Sequence, residues 1–248
     1  MEKYINTFRE MIADSDNIVF FGGAGVSTES GIPDFRSASG LYRQDGAPDD
    51  EFRGYAPEEI LHARFFRSNT KLFFRYYFTK FIYPNAEPNA AHRALAALEK
   101  TGKLKAVVTQ NIDGLHQKAG SRNVFELHGS IHRNYCQRCA AQYSLDDVLK
   151  TAPETPVCTC GGVIKPDVVL YGETLREDCI NDAVHFISEA DMLIVGGTSL
   201  SVYPAAGLVG YYRGKRLVLI NRDETPYDKM AALVFRDKLG EVLNFINN

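Results

Sequence analysis

Apolar residues recur along the chain with two alternating periods. Ile5, Phe8, Met11 and Ile12 fall at helical spacing, and Asn17-Ile18-Val19-Phe20-Phe21 follows as a short apolar run ending at Gly22-Gly23. The unit repeats downstream. Ala91, Leu95 and Leu98 mark a helix over 90–99, and Lys105-Ala106-Val107-Val108-Thr109 reads as the next strand. Ile180, Ala183, Val184 and Ile187 lie on one helix face before the strand Met192-Leu193-Ile194-Val195. Arg216-Leu217-Val218-Leu219-Ile220 is a further strand, and Leu239, Val242, Leu243 and Ile246 close the chain as a helix. Strands this short and uniformly apolar are buried on both faces, with the intervening helices as cover. The pattern predicts an α/β fold built on a doubly wound parallel sheet.

Two stretches interrupt it. Residues from about 44 to 85 begin polar and acidic and become aromatic in helical runs such as Leu72-Phe73-Phe74-Arg75-Tyr76-Tyr77-Phe78. Residues from about 133 to 162 hold four of the five cysteines, as Cys136-x-x-Cys139 and Cys158-x-Cys160. Eighteen residues between the pairs suit a zinc ribbon, and four thiolates suit a closed, structural tetrahedral site, with redox cysteines as the competing reading. Cys179 stands alone on a helix and reads as packed. The sheet lobe is therefore expected over 1–45, 89–132 and 164–248. A helical insertion over 46–88 and a zinc-ribbon module over 133–163 are expected to form a smaller lobe, with a ligand cleft between the two.

Composition narrows the function classes. Of 248 residues, 45% are hydrophobic and 24% charged, which fits a folded domain of this length. Lys and Arg number 28 against 31 acidic residues, a net charge of −3. That balance argues against a chain whose main affinity is for nucleic-acid phosphates. The N-terminal segment is charged throughout, so no secretory signal is expected. Met192 to Tyr212 carries no charge, but its glycines, hydroxyls and Pro204 read as strand, loop and helix rather than a membrane span. A cytoplasmic protein is expected.

Candidate chemistry gathers where strands end. Gly23-Ala24-Gly25-Val26-Ser27 lets backbone approach a phosphate, but Thr28 replaces the third glycine of the dinucleotide fingerprint, and no acidic residue closes a strand about 20 residues on. A hydride-transferring dehydrogenase fits poorly, and a plain tight turn remains the competing reading of this loop. Further polar groups follow in Ser30-Gly31-Ile32-Pro33-Asp34-Phe35-Arg36, Thr109-Gln110-Asn111-Ile112-Asp113 and Glu126-Leu127-His128-Gly129-Ser130. His128, between an apolar strand and a Gly-Ser turn, suits a general base near neutral pH. His62, His92, His116, His132 and His185 read as structural.

The combination GAGVSTESGIPDFR, TQNID, ELHGS, a four-cysteine module and GTSLSVYPA resembles the sirtuins, NAD-dependent protein lysine deacylases, and in particular the bacterial type. The resemblance runs from about Asn17 to Asn221. It implies a Rossmann-like lobe that binds NAD as co-substrate in an orientation unlike that of dehydrogenases. Ala24, Gly25, Ser27 and Thr28 would line the phosphates and nearby ribose, and Asp34, Phe35 and Arg36 would lie on the loop covering the cofactor. Asp113 and Ile112 would receive the nicotinamide carboxamide. Gln110 and Asn111 would contact its ribose. Gly197, Thr198, Ser199, Asn221 and Lys238 would serve the adenosine half. His128 would deprotonate a ribose hydroxyl as the acetyl group passes from lysine to ADP-ribose. The zinc pattern departs from the family in one respect, since Cys158-x-Cys160 stands where C-x-x-C is commoner.

The same resemblance implies that the acylated peptide adds as a strand along Val168, Val169, Leu170, Tyr171 and Gly172. Counting back from Pro88-Asn89-Ala90-Ala91-His92, Phe74 and Tyr77 occupy the positions of the Tyr-x-x-Arg pair that selects acidic acyls, which favours neutral acyls such as acetyl. The partners implied are acetylated lysine side chains of proteins; a monomer with no membrane or direct nucleic-acid contact is expected. Besides the dehydrogenase, two other readings compete. Protein ADP-ribosyl transfer or NAD hydrolysis would use the same site; a zinc-ribbon binding protein would show basic–aromatic interleaving around Cys136 to Cys160, which is absent.

Overall fold

The computed structural model describes residues 2–35, 40–41 and 51–246. Arg36 and the expected lobe boundary at 45/46 lie outside them. Among these residues, helices α1 (Glu2–Ala13), α2 (Pro57–Ile60), α3 (Ala63–Ser68), α4 (Thr70–Lys80), α5 (Ala90–Lys100), α6 (Leu115–Ala119), α7 (Leu145–Leu149), α8 (Glu177–Glu189) and α9 (Leu239–Leu243) accompany nine strands. These are β1 (Ile18–Gly22), β2 (Leu104–Thr109), β3 (Val124–Glu126), β4 (Gly129–Cys136), β5 (Gln142–Tyr143), β6 (Ile164–Val168), β7 (Met192–Gly196), β8 (Arg216–Ile220) and β9 (Leu233–Phe235). Among the described residues no helix is long and apolar enough to cross a membrane.

Six strands form one parallel sheet in the order β3-β2-β1-β7-β8-β9, and β5-β4-β6 form a small antiparallel sheet. The all-apolar strands split by alternation. Ile18, Phe20, Ile194 and Val218 face a core closed by Phe8, Leu95 and Val242 from α1, α5 and α9. Val19, Phe21, Leu193 and Leu219 face the opposite core, closed by Ala183 and Ile187 of α8 and by the 3-10 helix Ala205–Tyr211. Burial on both faces explains why no polar residue interrupts them. The predicted strands and helices appear within a residue or two, so the doubly wound α/β reading stands. The sequence pattern omits β9, whose three residues are too few to show a period.

The second lobe has its own packing. Phe73, Phe74, Tyr76 and Tyr77 of α4 are buried with Phe65 and Phe66 of α3, and the cluster extends to Ile131 of β4 and Val168 of β6. A smaller apolar cluster of Cys136, Val148, Cys158 and Ile164 lies beyond it. Arg133 ties the lobes together, its Nη1 donating to Glu126 Oε2 of β3 at 2.6 Å and its Nε to Asp167 Oδ2 of β6 at 2.9 Å.

Candidate active site

After β1, β2 and β3 on one side, the chain returns to place β7 on the other side of β1. The carboxyl ends of β1 and β7 therefore diverge into a crevice, the usual ligand position in an open α/β sheet. Gly23, Gln110, Gly197 and Asn221 each follow directly on a strand end and line a cleft of about 1120 Å³.

Its floor is the loop of two successive 3-10 turns, Ala24–Val26 and Thr28–Ser30. Gly25 donates its N–H to the Gly197 carbonyl at 2.8 Å, and a Cβ on Gly25 would stand 2.7 Å from Gly197 Cα. The two glycines let the loops after β1 and β7 touch through backbone alone. The Ser27 hydroxyl donates to Asp113 Oδ2 at 2.6 Å, and Asn111 Nδ2 donates to the Ser27 hydroxyl oxygen at 3.0 Å. Leu115 N–H fills Asp113 Oδ1 at 2.9 Å. Burial raises the Asp113 carboxyl above its ordinary value, against these two bonds that favour its charged form. Gln110 Nε2 reaches across to Thr198 Oγ1 at 3.0 Å.

His128 stands on the turn between β3 and β4. The Gln110 carbonyl lies 3.0 Å from its Nδ1. A carbonyl only accepts, so Nδ1 carries the proton and Nε2 keeps its lone pair, with no protein partner among the described residues. Burial lowers the imidazole pKa below 6.5, opposed by the Gln110 bond, so the ring is neutral at neutral pH. The turn is fixed by Gly129, at φ +80° and paired with Val168; a Cβ there would fall 1.8 Å from the Asp167 carbonyl oxygen. Only glycine can follow His128 in this geometry.

Ala24, Gly25, Ser27, Thr28, Asp34, Phe35, Gln110, Asn111, Ile112, Asp113, His128, Gly197, Thr198, Ser199, Asn221 and Lys238 all line the one cleft, as do Val168, Val169, Leu170, Tyr171 and Gly172 on its far wall. Arg36 falls outside the described residues. Along the far wall, Tyr171 already pairs with the segment before α3, donating to Leu61 O and accepting from Ala63 N–H, whereas Val169 donates to His128 O. Phe74 and Tyr77 require a correction. Both are sealed in the aromatic cluster of α4, at 0% and 1% exposure, and the wall there is built by Leu61, Lys80, Phe81 and Tyr83. Counting from Pro88 finds the helix but not which of its faces meets the cleft.

Sequence reasoning also missed Arg222, Asp223, Arg236 and Asp237, which line the cleft near Asn221. Arg222 and Asp223 follow a legible strand end; Arg236 and Asp237 follow β9, which has no legible pattern. Arg236 Nη1 donates to the carbonyls of Asn221 and Asp223 at 3.0 and 2.9 Å, fixing the loop after β8.

The four cysteines converge away from the cleft, their Sγ atoms all within 4.8 Å of one another. Cys136 and Cys160 stand 3.4 Å apart and Cys139 and Cys158 3.6 Å. Sulfurs around tetrahedral zinc, with bonds of about 2.3 Å, are about 3.8 Å apart, so the donor set fits and the short Cys158-x-Cys160 pair closes without difficulty. The Tyr143 hydroxyl donates to Cys158 Sγ at 3.1 Å and the Cys160 N–H at 3.5 Å, two bonds that favour the thiolate a metal requires.

Comparison with known proteins agrees with this geometry. The Sir2 family model matches residues 23–204. An NAD-dependent protein deacetylase of Clostridium acetobutylicum is 56% identical over 243 residues, covering 98% of this chain and 97% of the relative. A solved structure of Sir2 with a p53 peptide and NAD+ superposes with a TM-score of 0.84 at 38% identity, covering 98% and 96% of the two chains. Another, of Sir2 with an inhibitor, 2'-O-acetyl-ADP-ribose and a deacetylated p53 peptide, gives 0.83 at 38% identity, covering 97% and 96%. Matched in sequence over most of its length and in fold over nearly all of it, the chain belongs to the Sir2 family.

Proposed function

We infer that the chain is an NAD-dependent protein-lysine deacetylase, transferring the acetyl group of lysine to ADP-ribose with release of nicotinamide and of the free lysine amine, a water molecule being consumed after the glycosidic bond has broken. The observation that carries the assignment of roles is the placement of His128. His128 lines the same cleft as the strand-end loops and Val168 to Gly172, and its Nδ1 lies 3.0 Å from the Gln110 carbonyl, which supports a free Nε2 lone pair acting on a ligand bound there. The mixed polar lining of the cleft and its volume suit a dinucleotide. NAD supplies the labile glycosidic bond and the ribose that accepts the acetyl group.

The chain's own residues supply the rest. The loop at Gly23–Ser30 and Thr198–Ser199 receive the phosphates and adenosine side, where Asn221 and Lys238 also stand. Ile112 and Asp113 hold the nicotinamide amide. Gln110 and Asn111 position its ribose. Phe35, packed 5.9 Å ring to ring against Phe81, shields the reacting carbon from water. The peptide lies along Val168 to Gly172, its backbone paired and its sequence loosely read. His128 takes a proton from a ribose hydroxyl at Nε2 and returns it later, its Nδ1 proton fixed on Gln110 throughout. Zinc on Cys136, Cys139, Cys158 and Cys160 is structural, closed to substrate by its four ligands.

An acetyl-lysine peptide incubated with and without NAD and followed by mass spectrometry tests the reading. Loss of acetyl only with NAD, in step with nicotinamide and O-acetyl-ADP-ribose, is expected. Nicotinamide release with the acetyl group retained would instead establish NAD hydrolysis or ADP-ribosyl transfer.

A further inference from the structure

Asn89 caps helix α5 and is 8% exposed. Its Oδ1 accepts from the N–H groups of Ala91 and His92 at 3.0 and 3.3 Å, and His92 Nδ1 accepts from the Asn89 N–H at 3.3 Å. Capping needs only the oxygen, and Ser, Thr or Asp would serve. The amide nitrogen has a different task. It donates to the Val26 carbonyl at 2.7 Å and to the Ser30 hydroxyl at 3.0 Å, both on the loop that floors the cleft.

That loop consists of two single 3-10 turns, which do not hold a shape unaided. On the cleft side it is tied by Ser27 to Asp113 and Asn111. From beneath it is tied by Asn89, at the last residue of the first turn and the last of the second. Among capping residues, Asn alone pairs an acceptor for the helix with two donors for the loop. Asn89 does not line the cleft, so its influence passes through the backbone at Val26 and the hydroxyl at Ser30.

We propose that Asn89 is a positioning residue for NAD, anchoring the phosphate-side loop to the start of α5 so that Ala24 to Thr28 are set before the dinucleotide arrives. The inference rests on the NAD-dependent reading above. A loop released from one anchor must be ordered by the ligand, and the cost falls on NAD affinity rather than on the peptide.

Three variants separate positioning from capping. Asn89→Ser keeps a capping oxygen but loses both donations. Ser30→Ala removes one donation and leaves Asn89 intact. Asn89→Asp keeps the cap and sets a carboxylate against the Val26 carbonyl. The expected result for Asn89→Ser is a melting temperature near that of the parent, an NAD KM raised about tenfold, and an acetyl-peptide KM within twofold. Ser30→Ala should raise the NAD KM less, and Asn89→Asp at least as much as Asn89→Ser. Calorimetric titration of the parent with NAD serves as the control. If the parent binds no NAD, the functional reading fails. If the parent binds and Asn89→Ser binds equally well, the positioning role is overturned while the function stands, and a drop in melting temperature with unchanged NAD KM overturns it likewise.

Discussion

His128 and Gly129 act as a pair at the residue scale. Replacing His128 by Ala should leave NAD and peptide binding near the parent values and reduce turnover by at least about 100-fold; near-normal turnover would remove His128 from its role. Burial holds its pKa below 6.5, so the reactive, neutral ring persists as pH falls through 6.5. The acid limb of kcat/KM should accordingly be centred below pH 6.5, and a limb centred above it would contradict the buried environment. Gly129→Ala has no accessible geometry, with Cβ 1.8 Å from the Asp167 carbonyl oxygen, and should cost more than about 4 kcal/mol of stability, read as loss of a cooperative melt. Tyr77 makes the opposite case. Its hydroxyl is buried without a hydrogen-bond partner among the described residues, so Tyr77→Phe should be neutral or stabilising by about 1 kcal/mol. Since the ring lies in the core, the same change should leave the preference between acetyl and succinyl peptides unaltered, measured as a ratio of kcat/KM values.

Among the elements, α5 and α6 meet through two buried imidazoles, His92 and His116, with ring centroids 4.8 Å apart. Burial lowers both, His92 to about 4 with help from Arg93 and His116 with help from His92. The unfolded chain takes up these protons first. The stability held by the neutral pair is therefore complete above about pH 6.5 and is lost as pH falls from there toward 4. Urea unfolding at pH 7.5 and 5.0 should show a smaller loss for His116→Leu than for the parent; an equal loss would mean that other groups carry the acid sensitivity. The bland sequence reading of these two histidines as structural agrees with their burial. Elements and strand ends were legible because burial on both faces leaves an unbroken apolar run and glycine marks its end. The wall of the cleft in α4 was less so. Aromatic residues fill five of the six positions from 73 to 78, so spacing alone gave no face; Phe74 and Tyr77 lie in the buried cluster, and Phe81 and Tyr83, beyond the helix end, line the cleft. The loop after β9 was illegible for the related reason that three residues show no period.

At the scale of the whole molecule, the cysteine module, among the described residues, shares a cluster with α7 and Phe78 but none with the six-stranded sheet. Metal removal should unfold the small sheet while the large one persists. Stringent chelation, with metal analysis as a check, is expected to abolish deacetylation and to leave a partial loss of circular dichroism; full activity without metal would refute the structural role. Arg133, bridging Glu126 and Asp167, is the polar link through which that loss would reach the cleft. The central strand carries a different consequence. Ile18 pairs with Leu104 on one side and with Met192 on the other, so β1 is made early and completed late. On the ribosome its second edge stays open until β7 has emerged. Folding of the sheet is thus a slow, non-local event, and a nascent chain released before residue 196 would present an apolar, unpaired strand to its neighbours. The strand order that opens a crevice for ligand also makes completion of the sheet during synthesis dependent on the chain reaching β7.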